Sequence, residues 1–419
     1  MELQQSTRFV DGIQPLDVSI VMPCLDENQS LEHCIGNAHD ALNQIAQKYG
    51  LVGEIVIADN GSTDGSQALA TSLGARVVNV SRKGYGAAII GGFDAAFGRY
   101  LVMGDCDGSY DFTNSVAMIG RLLDGADLCM GSRFQGGIAP GAMPWKNRYI
   151  GNPLLTGILN LFFRSGIDDA HCGLRAIRKE TYLQLGLQGA GMEFASEMVI
   201  KATLHKMRID QVPATLSKDL RDREPHLRPW RDGWRHLRYL LMLSPTWVFG
   251  VPALIAMVLA GLILSFSALH ILGILPGAGA FGASWTIAGG FLLTLGHFAA
   301  IMALATHFYG VKLGYRRLRP SLNKRRDFLT LEHALVLGGL LVAVSAGVFG
   351  IVAWNWVASG FAAPPTVLPV TLAAAAGVLG LQTVMGGFLV AIIGGHETKY
   401  IPHTNIGDYA PVPEFENAA

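Results

Sequence analysis

The sequence predicts an α/β domain with a mostly parallel sheet, followed by a domain of four transmembrane helices. Two observations carry this. Residues 18–240 alternate strand-like apolar runs with helix-like stretches, the βαβ order of a parallel sheet covered by helices on both faces. Further on, no Asp, Glu, Lys or Arg occurs between Arg238 and Lys312, nor between Glu332 and Glu397. Such gaps far exceed the ~20 apolar residues that cross a bilayer.

The first strand is Val18-Ser-Ile-Val-Met22, ended by Pro23, with a helix expected over roughly 29–47. Glu54-Ile-Val-Ile-Ala58 is the second strand, ended by Asp59-Asn-Gly-Ser-Thr-Asp-Gly65. Helix 65–73, strand 76–80, helix 85–97 and strand 99–103 follow, and the last runs into GDCDGSYDF, residues 104–112. In such sheets ligands bind beyond the carboxyl ends of the strands. Pro23 to Asn28, Asp59 to Asp64 and Asp105 to Asp111 stand at those ends and are expected to converge on one crevice.

Residues 218–240 interleave Trp230, Trp234, Leu237 and Tyr239 with Arg228, Arg231, Arg235 and Arg238. This pattern fits an interfacial helix, with rings at headgroup level and cations toward phosphate. Aromatics beside basic residues also suit single-stranded nucleic acid, but an apolar run begins a few residues later. The equal totals of 32 basic and 32 acidic residues give no argument for nucleic acid.

Spans are expected near 246–270, 284–310, 332–356 and 367–394. The loop between the second and third carries Lys312, Arg316, Arg317, Arg319, Lys324, Arg325 and Arg326, and short basic loops stay inside. Residues 1–17 are polar and show no apolar signal-peptide core. The expectation is an integral protein of the plasma (inner) membrane, with both termini and the α/β half in the cytoplasm. Its parts are a tail (1–17), a catalytic domain (18–217), an amphipathic segment (218–245), four spans (246–396) and a cytoplasmic tail (397–419). The cysteines Cys24, Cys34, Cys106, Cys129 and Cys172 lack metal-ligand spacing and read as buried thiols of a reducing compartment.

Asp105, Asp107 and Asp111 fall within seven residues. Carboxylates so close repel unless a cation or hydrogen bonds compensate. A crevice with several acidic groups suits a sugar nucleotide with a divalent cation. The structural alternative is that Asp105 and Asp107 cap a turn and the next helix.

The motifs VSIVMPCLDEN, IVIADNGSTDGS, RKGYGAA, the D-x-D of GDCDGSYDF, GSRF, KNRYIGN and DDAHCGLR, in this order, resemble the family 2 glycosyltransferases of the GT-A fold. The nearest branch is the polyprenyl-phosphate glycosyltransferases of the dolichyl-phosphate mannose synthase group. The resemblance covers about residues 18–240. It implies that Pro23, Glu27 and Asp59 line a nucleotide pocket and that Lys83 lies in the loop beneath the nucleotide. Asp105 and Asp107 would hold the sugar and Mg²⁺ or Mn²⁺, while Arg133, Arg148 and Arg228 would hold phosphate. Asp169 and Glu193 or Glu197 are the candidates if a base is needed, each could instead orient sugar hydroxyls, and Glu197 reads equally as a helix-surface residue. Ser109 stands where the family often has Gln, with Asp111 as a possible replacement. The Arg and Ser-Lys segment late in the catalytic domain does not align cleanly, and Lys218, Arg221, Arg223, His226 and Arg228 are all candidates for it. No Q-x-x-R-W motif occurs, which argues for a single sugar rather than a polymer.

The implied reaction is inverting transfer from GDP-mannose, UDP-glucose or a related donor to a polyprenyl phosphate. The implied partners are the nucleotide sugar, the lipid and the membrane, and a homo-oligomer is compatible with the sequence. Two rival readings are a transferase acting on another lipid's hydroxyl and a transporter with a regulatory nucleotide-binding head. The lack of Asp, Glu, Lys or Arg inside the spans argues against an ion pathway.

Overall fold

In the computed structural model the chain forms two units, residues 1–240 and 241–419. It describes residues 16–221, 229–275, 282–313, 316, 318, 320–325, 328–362, 366–396, 398 and 400.

The first unit begins with β1 (Val18–Cys24), α1 (Asn28–Tyr49), β2 (Gly53–Asp59), α2 (Ser66–Ser72), β3 (Arg76–Asn79), α3 (Tyr85–Ala95) and β4 (Tyr100–Met103). A 3₁₀ turn (Phe112–Asn114), α4 (Ser115–Leu123), β5 (Leu128–Ser132), the single turn α5 (Arg133–Gly136) and a π-helical turn (Asn147–Gly151) follow. Then come α6 (Asn152–Phe163), β6 (Arg175–Arg178), α7 (Lys179–Leu185), α8 (Phe194–Leu204) and β7 (Ile209–Pro213); α9 (Pro229–Met242) follows and ends two residues past Leu240. Sheet order is β3-β2-β1-β4-β6-β5-β7. Every neighbouring pair is parallel except those of β6, which runs antiparallel between β4 and β5.

Strand β1 is central, and its Val18, Ile20, Val21 and Met22 are all fully buried. That is why it reads as a continuous apolar run rather than an alternating one. Helix α1 buries Leu31, Cys34, Ile35, Ala38, Ala41 and Ile45, the three-and-four spacing of one helical face. It stops at Gly50, whose φ of 69° turns its N–H back onto the Ala46 carbonyl; a residue without Cβ takes this left-handed turn at least cost. Register aligns Cys24 with Asp59 and Val21 with Met103. The carboxyl ends of β1, β2 and β4 therefore open on one edge, and their polar loops emerge together.

The second unit holds a π-helical turn (Thr246–Gly250) leading into α10 (Val251–Ile271), then α11 (Ala283–Lys312), the short α12 (Pro320–Asn323), α13 (Leu331–Ala358) and α14 (Leu368–Gly394). Thr246–Ile271, α11, α13 and α14 are 26, 30, 28 and 27 residues long with mean hydropathies of 1.9–2.5. At ~1.5 Å per residue each suffices to cross a hydrocarbon core of ~30 Å. Leu262, Phe291, Val336 and Ile392 face outward from the bundle, as lipid-facing residues do. Inside, α13 and α14 meet at Gly338 and Gly380, where a Cβ on either would lie 2.7 or 2.6 Å from the other's carbonyl oxygen. Small residues permit such approach where no hydrophobic effect drives helices together. His297 of α11 engages Gln382 at 2.9 Å and Thr383 at 3.3 Å on α14, so this intramembrane imidazole packs against a neighbouring helix.

Candidate active site

Two loops are stitched together first. Asn60 N–H donates to the Cys24 carbonyl at 2.9 Å, Asp26 N–H to Ser62 Oγ at 2.9 Å and Glu27 N–H to Ser66 Oγ at 3.1 Å. Asp59 accepts from Gly61 N–H at 3.0 Å, Ser62 N–H at 3.2 Å and Gln67 Nε2 at 2.7 Å. Burial alone would raise the Asp59 carboxyl, but these donors hold it below the usual range.

Asn60 joins this turn to the start of α3. Its Nδ2 donates to the Val80 and Arg82 carbonyls, its Oδ1 accepts from Gly84 N–H at 2.8 Å, and its carbonyl accepts from Lys83 Nζ at 2.5 Å. Gly84 has φ of 130°, and a Cβ there would lie 2.2 Å from the Ala190 oxygen. Only glycine lets the loop before α8 lie against the start of α3. In that loop Glu193 accepts from Gly191 N–H at 3.0 Å. Glu197 accepts from Gly189 N–H at 2.7 Å and pairs with Lys201 at 2.8 Å, so the buried Glu197 holds the loop rather than facing a ligand.

The acidic loop after β4 closes the edge. Cys106 Sγ donates to the Pro23 carbonyl at 2.8 Å, and Ser30 Oγ to the Cys106 carbonyl at 2.6 Å. Asp105 accepts from the Tyr85 hydroxyl at 2.8 Å. Gly173 packs on it so closely that a Cβ would lie 2.8 Å from Asp105 Oδ2. Asp107 Oδ1 accepts from both Ser109 N–H at 3.0 Å and Ser109 Oγ at 2.5 Å. Burial, and then the charge of Asp107, push the Asp105 carboxyl up to about 7. Asp111 does not join them. Its carboxylate accepts from Thr113 N–H at 2.9 Å, Thr113 Oγ1 at 2.7 Å and Asn37 Nδ2 at 3.0 Å, capping the turn before α4 instead of replacing the ligand that Ser109 lacks.

Arg221 draws the edge together. It reaches Glu27 at 3.1 Å, Asp107 at 2.9 Å and Asp219 at 3.1 Å. Arg133 and Asp169 form a separate buried pair, with Nε–Oδ2 of 2.7 Å and Nη2–Oδ1 of 2.8 Å. Asp169 is fully buried. Burial works to raise its carboxyl, and Arg133 more than offsets it. The sequence expectation takes Asp169 as a candidate base and Arg133 as a phosphate ligand; in the structure each engages the other. Arg148 sits in the π-helical turn with its guanidinium 5.4 Å from the Tyr149 ring centroid. Arg228, like Arg223 and His226, lies outside the described residues.

Arg221 thus joins Glu27 to Asp107, and Tyr85 holds the neighbouring Asp105, with Pro23 and Asp59 at the ends of β1 and β2 and Lys83 just before α3. Sequence reasoning passed over Tyr85 and Asn60 and did not single out Arg221 among its neighbouring cations. The RKGYGAA motif contained Tyr85, but nothing in its spacing pairs it with Asp105.

Among the described residues no three His, Cys, Asp or Glu side chains form a ready-made metal cage. The donor set nevertheless fits a hard divalent cation. Burial and then the neighbouring Asp107 charge raise the Asp105 carboxyl, and Asp107 already engages a cationic guanidinium. Mg²⁺ and Mn²⁺ take oxygen ligands and normally complete their shell with substrate phosphates and water.

The description Glycosyl transferase family 2 matches residues 19–186, and Glycosyltransferase family 2 C-terminal transmembrane region matches residues 304–394. The low-salt glycan biosynthesis hexosyltransferase Agl6 of Haloferax volcanii is 34% identical over 380 residues, 90% of this chain and 89% of that protein. The polyprenol monophosphomannose synthase of Mycolicibacterium smegmatis is 29% identical over 216 residues, 48% of this chain and 77% of that protein. Among solved structures, glucosyl-3-phosphoglycerate synthase from Mycobacterium tuberculosis, in complex with Mn²⁺, UDP and glucosyl-3-phosphoglycerate, aligns with a TM-score of 0.41 and 22% identity. That alignment covers 57% of this chain and 86% of the other.

Proposed function

The chain belongs to glycosyltransferase family 2, and we propose that it transfers one hexose, with inversion, from a nucleotide-diphosphate sugar to a membrane polyprenyl phosphate. The observation that carries the proposal is the shared acidic edge beyond the carboxyl ends of parallel strands: Glu27 and Asp107 are bound through one arginine, and Asp105 stands on the same loop as Asp107, held by Tyr85. A relative named as a polyprenol monophosphomannose synthase supports the acceptor class.

In this reading Pro23, Glu27, Asp59 and Lys83 wall the nucleotide, and donors of the GDP-mannose or UDP-glucose type fit. A lipid phosphate oxygen attacks the anomeric carbon; the bond to the diphosphate breaks, and its electron pair leaves with the nucleoside diphosphate. That nucleophile is anionic near neutral pH, so a strong general base is unnecessary. Mg²⁺ or Mn²⁺, held by Asp105 and Asp107, would supply charge neutralisation at the departing diphosphate. Tyr85 orients Asp105 through its hydroxyl. Glu193 orients sugar hydroxyls, and Asp169 acts through Arg133 by fixing its guanidinium. Arg148 and Arg228 hold the acceptor phosphate, because a guanidinium fork grips phosphate oxygens bidentately.

Anchoring explains the architecture. Four spans confine enzyme and lipid to one interface, which lowers the entropic cost of their encounter. The catalytic domain (18–217) would face the cytoplasm from the plasma membrane, with residues 218–245 along the interface. Thermal stabilisation tests the donor half. GDP-mannose or UDP-glucose with Mn²⁺ should raise the Tm of the purified chain, and Asp107→Asn should lose most of the rise. No stabilisation by any nucleotide sugar would refute the donor assignment.

A further inference from the structure

We propose that Arg221 is a built-in competitor for the divalent cation: guanidinium and metal contend for Asp107, so metal entry releases Arg221. The inference rests on Asp107 being a cation ligand, as proposed above.

Both oxygens of Asp107 are already engaged. Oδ1 accepts two hydrogen bonds from Ser109, and Oδ2 accepts from Arg221 at 2.9 Å. A dication reaching either oxygen meets a fixed positive charge already seated on the same carboxylate. Like charges sharing one carboxylate repel strongly in a partly dehydrated pocket, and the Arg221 side chain is only 14% exposed. The same guanidinium also occupies Glu27, a second carboxylate at this edge, at 3.1 Å.

The contact is built by the backbone as well as by charge. Leu216 bridges to Tyr110, Ser217 N–H donates to the Ser109 carbonyl at 2.8 Å, and Leu220 N–H donates to the Asp107 carbonyl at 2.9 Å. Gly108, with φ of 80°, leaves room for Leu220; a Cβ there would lie 2.6 Å from Leu220 Cδ1. Residues 216–221 thus run along the acidic loop, and Arg221 clasps them to it. Asp219, 3.1 Å from Arg221, gives the guanidinium a carboxylate to keep once Asp107 is taken.

The test measures Mn²⁺ binding to the full detergent-purified chain, from the electron paramagnetic resonance signal of free Mn²⁺. Arg221→Gln should bind Mn²⁺ more tightly, by roughly tenfold for loss of one close like charge, whereas Arg221→Lys should stay near the parent value. Unchanged, weaker or undetectable binding by a folded Arg221→Gln overturns the proposal. Hydrogen exchange on the unaltered chain gives a second reading that needs no variant: Mn²⁺ should speed exchange at the Ser217 and Leu220 amides, and constant or slower exchange overturns it equally. Tighter Mn²⁺ binding by Arg221→Gln without nucleotide-sugar binding by any form would sink the donor reading and leave this one standing.

Discussion

Arg133 and Asp169 meet in a two-pronged ion pair, at 2.7 and 2.8 Å, with the carboxylate wholly removed from solvent. They lie 36 residues apart and join the start of α5 to the loop before β6. Removing one partner of such a pair leaves a buried uncompensated charge, which costs about 3–5 kcal/mol. Asp169→Ala should therefore lower Tm sharply, while the double variant Arg133→Met with Asp169→Leu should recover much of the loss. Thermal unfolding in detergent decides, and a near-additive double variant would mean that the pair does not act as a unit.

Asp107 offers a contrast, because its contacts lie on a loop rather than in the core. Asp107→Asn keeps the shape and the Ser109 hydrogen bond but halves the site's ability to oppose a cation. Transfer should fall by at least 100-fold, of the order seen when one stabilising group at the reacting charge is lost, with Tm nearly unchanged. Turnover at the parent rate in metal-containing buffer would remove Asp107 from the proposed chemistry.

His171 sets a pH limit on stability. Its ring lies 4.9 Å from that of His236, whose Nδ1 is 2.8 Å from Ser196 Oγ. Burial, then the neighbouring His236, push His171 down to about 3. In the unfolded chain a histidine titrates near 6.5. Below ~6.5 the unfolded state thus binds a proton that the folded state refuses, so this contribution to stability is full above that pH and is lost as pH falls toward 3. The slope is about 1.4 kcal/mol per pH unit. Unfolding midpoints at pH 7 and pH 5 should differ for the parent and converge in His171→Gln. An unaltered pH slope in that variant would assign the acid sensitivity to other groups.

Arg148 is tested by dividing donor from acceptor. Its guanidinium lies over Tyr149 in an irregular turn, without the buried carboxylate that fixes Arg133. Arg148→Ala should raise KM for polyprenyl phosphate about tenfold or more, as loss of one charge-assisted phosphate contact implies. KM for the nucleotide sugar should change little. Parallel effects on both substrates would count against an acceptor role.

The legible parts of this fold were those with no competing explanation. The runs before Pro23, Asp59 and Gly104 are apolar because β1, β2 and β4 are buried, and Asp59 and Asp105 mark where the chain leaves β2 and β4. The spans show as charge-free gaps for a different reason: their outward faces are apolar, as lipid requires. Strand β6 was hidden: Arg175-Ala-Ile-Arg178 is four residues long and half arginine. Arg175 is nevertheless fully buried, because the Cys172, Ala170 and Ala195 carbonyls take up its guanidinium. The motif order pointed to Glu27, Asp105 and Asp107, but a linear motif cannot tell a free charge from a spent one. Arg133 reads as a phosphate ligand and Asp169 as a candidate base, although they pair with each other across the fold. Arg221 stood among several cations in KDLRDREPHLR, and only the run of residues 216–221 along the acidic loop distinguishes it.

The most direct measurement incubates the purified chain with polyprenyl phosphate, Mn²⁺ and radiolabelled GDP-mannose or UDP-glucose, then extracts with chloroform. The account predicts label in the organic phase that depends on the lipid phosphate and disappears in Asp107→Asn. Label on a lipid hydroxyl instead, or no extractable label from any nucleotide sugar, would contradict it.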